Sequence, residues 1–261
     1  METLARYGVP CRCRLLLGSS HPCKPDARPS DKSQYMLHPG AGAGRSTNKK
    51  GGKDILNFEN CDKIIFHGVG KYQIPQIEPE TIDVNKIEWI PFNFAKTAKD
   101  KSCKGIHFYV DDYQFVRLWN HPDDYTSLLS QFAAVCTPDF SQYTDMPVAM
   151  QIYNHYRKHW LGAYWQLHGI HVIPTICWSD SSSFEWCFDG EPTNGIVSIS
   201  SVGTQNDKRS KELFDVGCRE AIKRLTPSQI LWYGICPEKF DWNVTKIQPF
   251  YKEIRGRTNG R

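Results

Sequence analysis

Four aspartates, Asp111, Asp112, Asp139 and Asp180, stand at the ends of short apolar runs: Gly105 to Asp112, Phe132 to Asp139 and Ile170 to Asp180. Carboxylates at successive strand ends can divide acid and base roles once their surroundings separate their pKa values, or gather round a hard cation such as Mg²⁺ or Mn²⁺. These four are the candidate catalytic residues. Asp111 and Asp112 are adjacent, so in a strand they face opposite ways and only one can aim into a cleft. The plainer reading is capping, since an aspartate after a strand readily closes the next helical turn, as Asp180 would for Ser181 to Phe188.

A second group lies late in the chain. Ser201, Gly203 and Thr204 lie where a run ending at Gly203 leads into a helix that starts near Asn206, and Gly234 ends the following run. Glycine lets backbone N–H groups approach a phosphate, and a helix N-terminus adds a positive dipole end. An ordinary turn capped by Asn206 explains the same residues. A third group, Trp178 and Ser181 to Asp189, including Glu185, joins flat rings to polar groups, as a stacked base or sugar requires. Arg157, with Asn154 one turn before it, offers a guanidinium to the same ligand. Trp178, Glu185, Arg157, Ser201, Gly203, Thr204 and Gly234 are therefore the substrate-binding candidates. His155, His159 and His168 are read as not sharing one helical face, which argues against a helical histidine metal site. Neither a Gly-x-Ser-x-Gly elbow nor a His-Glu-x-x-His pair occurs. His107 and His171 fall inside apolar runs, where an interior histidine is expected.

The elements that must position these groups follow from periodicity. Continuous apolar runs of strand length alternate with helical stretches at 121–131, 145–168 and 206–225, the last carrying Leu213, Val216, Gly217, Ala221 and Ile222 on one stripe with Lys208, Arg209, Lys211 and Glu212 facing out. Weaker strands are expected at 63–66 and 87–94. Repeated βα units with strands buried on both faces predict an α/β fold with a mainly parallel sheet, barrel-like in the manner of an incomplete TIM-type barrel; an open doubly wound sheet is the alternative.

Residues 1–53 differ from the rest, being rich in Pro, Gly, Ser and Arg without sustained period, and are expected to form a flexible basic arm; 54–243 would be one core domain and 244–261 a basic tail. The 261 residues, 13% aromatic and 23% charged, suit a globular protein, and the net charge of +4 comes mostly from the two ends. No run approaches the roughly 20 apolar residues of a membrane span. Ten cysteines without a preceding signal segment point to reduced thiols and a cytoplasmic setting. Cys11, Cys13, His21 and Cys23 match no standard zinc spacing.

The blocks Thr137 to Pro147, Tyr153 to Arg157, Gly162 to Gln166, Val172 to Asp180, Phe188 to Pro192 and Val197 to Thr204 resemble the domain-of-unknown-function 4417 family, encoded by bacteria, phages and mobile elements. The resemblance covers about residues 54 to 236. It implies the cytoplasm of a bacterial host cell and carries no mechanism. The residues lead to an enzyme acting on a phosphate-bearing substrate, a nucleotide or nucleic acid, through strand-end aspartates, and the resemblance implies that it is a phage or mobile-element protein. The alternative is a non-catalytic module that grips nucleic acid or a host protein through the basic ends.

Overall fold

The computed structural model describes residues 59–237 and 242–247. The expected arm at 1–53, its Cys11 to Cys23 cluster and the chain after Ile247 lie outside the described residues.

Two parallel sheets form the centre. The first runs β3 (Glu88–Pro91), β4 (Lys104–His107), β5 (Ala134–Cys136) and β6 (Val172–Ile173) in that order. The second runs β7 (Ile196–Ser200), β8 (Gln229–Tyr233) and β9 (Val244–Ile247). A parallel bridge between Thr175 and Ser198 links them, with Ile176 donating to Ser198 O and Ser198 donating to Pro174 O, both at 2.8 Å. Strand order is thus sequential, without the reversal of a doubly wound sheet. Among the described residues no ladder joins β9 to β3, so the expected barrel is not closed. Asn85, in the 3-10 turn just before β3, accepts from Gln229 of β8 and Thr245 of β9. A small antiparallel hairpin, β1 (Gly68–Val69) and β2 (Ile74–Pro75), precedes the sheets.

The helices follow the apolar periodicity. α1 (Arg117–Asn120) and α2 (Pro122–Leu129) come between β4 and β5, and α2 opens on a proline whose missing N–H is no loss at that position. α3 (Val148–Leu167) is buried over much of its circumference, with Trp160 and Trp165 fully inside. It packs in the main core beside Phe108, Val135 and Val172. α4 (Lys208–Leu225) lays Phe214, Cys218, Ala221 and Ile222 over the second sheet, against Trp232 and Val197.

Two expectations about elements need correction. Residues 63–66 show alternating burial, with Ile64 and Phe66 inside and Ile65 out, but they join no sheet; the Ile64 carbonyl accepts from Trp160 Nε1 instead. Conversely, 244–247, assigned to the tail, form a strand of the second sheet with Ile247 in the core.

Candidate active-site cleft

All the parallel strands end at one rim, and two adjoining cavities open there, of about 740 and 580 Å³. Asp139, Ser141, Tyr143, Ser200 and Val202 belong to both. The larger continues along Cys177, Trp178, Ser179, Gly203, Thr204 and the first turn of α4, where Arg209 and Ser210 stand. The smaller contains Tyr109, Asp111, Asp112, Tyr113 and Met146. Tyr113 and Tyr143 are 76% and 64% exposed, so two aromatic faces stand in water at the mouth.

Asp139 sits three residues beyond β5, and its carboxyl sinks back into the wall between the two cavities. The Cys177 thiol donates to Asp139 Oδ1 at 2.8 Å. Burial raises the Asp139 pKa; the Cys177 hydrogen bond offsets this in part, while the nearby Asp112 charge adds to the rise. Cys177 is itself driven well above the ordinary thiol value by burial and by the Asp139 charge, so it stays a neutral donor. Asp112 starts a 3-10 turn and accepts from Ser141 N at 3.1 Å and Ser141 Oγ at 3.0 Å. The two half-buried carboxylates therefore differ in their partners: one has a neutral thiol, the other a backbone amide and a hydroxyl.

Of the sequence-named groups, the cleft brings together Asp111, Asp112, Asp139, Trp178, Gly203 and Thr204. Asp180 shares the rim but caps the 3-10 turn Ser181–Glu185, accepting from Ser182 N at 2.9 Å and Ser182 Oγ at 2.6 Å. These hydrogen bonds pull its pKa down. Arg157 lines neither cavity; its guanidinium stacks 3.8 Å from the Phe140 ring centroid and donates to Asn154. Glu185 is exposed outside both cavities. Ser201 donates to the Ile235 carbonyl at 2.8 Å, and Gly234, at φ 98°, backs against that serine, so both shape the turn from behind. The cap of α4 is Asp207, one residue after the expected Asn206, and it accepts from Ser210 N.

Sequence reasoning missed Cys177, Ser141 and Arg209. Arg209 was placed on the outward face of α4, but its position in the first turn swings it to the cleft wall. His155, His159 and His168 share no single face, as expected, but the first two do, so the argument against a helical histidine site needs correction. His155 and His159 are one turn apart on its buried side, with ring centroids 4.4 Å apart, whereas His168, nine residues on at about 100° per residue, points the other way. Together with Glu191 they form the one grouping of three or more possible metal-ligating side chains among the described residues, and the rim aspartates form none. Lys158 beside them donates to Glu191 Oε1 at 2.6 Å and Thr175 O at 2.8 Å. Burial opposes both charges, yet their attraction holds the amine above and the carboxyl below their usual values. His107 is buried beneath Tyr109 and Tyr233, and burial lowers it to about 3.

No helix among the described residues is long and apolar enough to cross a membrane. No solved structure matches the chain. The "Gene 1 protein" of Mycobacterium phage L5 is 37% identical over 199 residues, covering 76% of this chain and 84% of that protein. Its counterpart in Mycobacterium phage D29 is 35% identical over 200 residues, covering 76% of this chain and 72% of that protein. The sequence pattern of one family spans residues 66–251, which takes in every described strand and the whole rim cleft: the chain belongs to the family described as Domain of unknown function (DUF4417).

Proposed function

We propose that the rim cleft is the acid–base site of an enzyme that acts on a nucleotide or a nucleic-acid end, on an incomplete barrel of βα units. The observation that carries this reading is the Asp139 carboxyl, half-buried, bonded to the Cys177 thiol and raised in pKa at the wall shared by the two cavities. A carboxyl whose pKa is raised holds its proton to higher pH and suits a proton donor, and Asp112, held by Ser141, stands nearby in a different setting. Exposed Tyr113 and Tyr143 suit the stacking of a base, and Arg209 with Thr204 suits an anionic group. The rim aspartates do not gather into a cation-sized cluster, so acid–base work is favoured over Mg²⁺ or Mn²⁺ binding by them. We place the chain in the cytoplasm of a phage-infected bacterium, in keeping with the phage relatives and with free thiols at the described cysteines.

Calorimetry of the full chain against a panel of nucleoside mono-, di- and triphosphates and short single strands tests the reading. Wild type is expected to bind at least one, and Asp139→Asn and Arg209→Ala to weaken it roughly 10- to 100-fold, the loss of one charged contact of about 1–3 kcal/mol. A wild type that binds none of them, with both variants keeping the biological activity, replaces the enzyme with a binding module.

A further inference from the structure

A second constellation lies away from the cleft, where the inner face of α3 meets the loop that carries Glu191. One ligand atom from each of His155, His159 and Glu191 lies within 4.8 Å of the other two, and all three residues are buried. Each imidazole spends one nitrogen on a backbone carbonyl. His155 Nε2 lies 3.0 Å from Asp189 O, and His159 Nδ1 lies 2.9 Å from Pro75 O. A carbonyl only accepts, so these nitrogens carry the protons, and in each neutral ring the lone pair falls on His155 Nδ1 and His159 Nε2.

Those lone pairs lack ordinary partners. Among the described residues His155 Nδ1 has no hydrogen-bond partner, and neither has Glu191 Oε2. His159 Nε2 faces Glu191 Oε1 at 3.0 Å, so two electron-pair donors are turned towards each other. Lys158 Nζ, 2.6 Å from that oxygen, supplies a positive centre for Oε1, whereas His155 Nδ1 and Glu191 Oε2 have none bonded to them among the described residues. Imidazoles prepared for a metal have this arrangement: the outer N–H is fixed by a carbonyl and the inner lone pair points to the ion.

We propose that His155, His159 and Glu191 form a buried structural site for one zinc-class divalent ion. Two imidazole nitrogens and one carboxylate oxygen suit Zn²⁺ or a similar borderline ion, whereas Mg²⁺ takes oxygen ligands. One ligand atom from each residue lies within 4.8 Å of the other two, and ligands about 2.0–2.1 Å from zinc at a tetrahedral angle stand about 3.4 Å apart, so small side-chain shifts bring all three onto one ion. Lys158 holds Glu191 Oε1, which leaves Oε2 for the ion. Gly190 makes the approach feasible: its φ is 77°, and a Cβ there would overlap Pro75 O and His159 Nδ1. The ion would clamp α3 to β2 through Pro75 and to the 189–191 turn. All three ligands are buried, so a fourth ligand would be an enclosed water and the role is structural.

Metal content and direct titration test the proposal on tag-free full-length protein. Protein purified without chelator is expected to carry about one zinc per chain by plasma mass spectrometry. Metal-stripped protein titrated with Co²⁺ should develop the visible bands of a four-coordinate ion, and MgCl₂ should produce no change. Zinc at about 100 times its Kd should raise the melting temperature by roughly 5–10 °C. His155→Gln and Glu191→Gln should each abolish the Co²⁺ bands in protein shown by circular dichroism to be folded. If both variants fail to fold, the wild-type measurements decide alone. Wild type that carries no zinc and shows neither Co²⁺ bands nor a melting shift overturns the site and leaves a proton-sharing His-Glu-Lys network. Folded variants that keep the same bands also overturn it, and direct attention to a set such as Cys11, Cys13, His21 and Cys23.

Discussion

Asp139 and Asp180 are both aspartates near strand ends, and nothing in their own letters tells them apart. The difference arises from what stands next to each in space. Asp180 meets the amide and hydroxyl of Ser182, two residues on, and becomes a cap, whereas Asp139 meets Cys177 from the neighbouring strand end and becomes a half-buried acid. The cap was legible because its partners are local; the acid's partner lies 38 residues away. Two predictions separate them. Asp180→Ala should lower stability by about 0.5–2 kcal/mol, the usual loss for a helix cap, and leave nucleotide binding unchanged in calorimetry. Asp139 behaves in the opposite way. Because its folded pKa is raised above the unfolded value of about 3.9, the folded state keeps a proton that the unfolded chain has released, and stability falls as pH rises through that interval. Asp139→Asn cannot ionise. Its melting temperature should match wild type below pH ~3.9, fall less steeply above it and exceed wild type at neutral pH. A wild-type profile as flat as that of the variant would show that Asp139 titrates normally.

At the scale of elements, helices with strong one-sided patterns were readable and contacts between elements were not. α4 lies where its apolar stripe put it, and α3 where proline and glycine bracket an unbroken run. The strand expected at 63–66 had the right alternation and no partner, and β9, with Thr245 and Lys246 in only four residues, carried too little apolar signal to stand out from a basic end. Gly217 shows what sequence periodicity hides. It looks like a neutral member of the α4 stripe, yet the Trp178 ring packs so closely on it that a Cβ would overlap the indole, whose Nε1 donates to Leu213 O at 3.3 Å. Gly217→Ala gains up to about 1 kcal/mol of helix propensity. Overpacking against a rigid ring costs about 1–3 kcal/mol, so the net effect should be destabilising. Since Trp178 lines the larger cavity, the same substitution should also weaken nucleotide binding. Thermal unfolding and calorimetry on one preparation check both; a stabilised variant with unchanged affinity would show that the ring moves aside freely.

For the molecule as a whole, what matters is that the cleft is shared between two sheets joined by a single bridge. Asp139 and Cys177 come from the first, Ser200 and Thr204 from the second, and Tyr109 beyond β4 reaches across to pair with Ser198 and stack on Tyr233 at 4.8 Å. The geometry of the site therefore depends on the second sheet keeping its place, and that sheet has only three strands. Its outer strand, β9, gives β8 a hydrogen-bonded neighbour from Ile230 to Tyr233 and puts Ile247 into the main core with 3% exposure. Ending the chain at Asn243, the boundary suggested by composition, would expose the β8 edge and remove that side chain together. Ile247→Ala alone should cost about 2–5 kcal/mol, as for other buried large-to-small changes. The truncation should cost more, because the ladder is lost as well, and it should abolish nucleotide binding even where residual helix persists. Circular dichroism melts and calorimetry on Ile247→Ala and on the 1–243 chain measure this. A truncated chain that melts and binds like wild type would mean that β9 is an appendage and that four strands of the first sheet, with β7 and β8, hold the cleft without it.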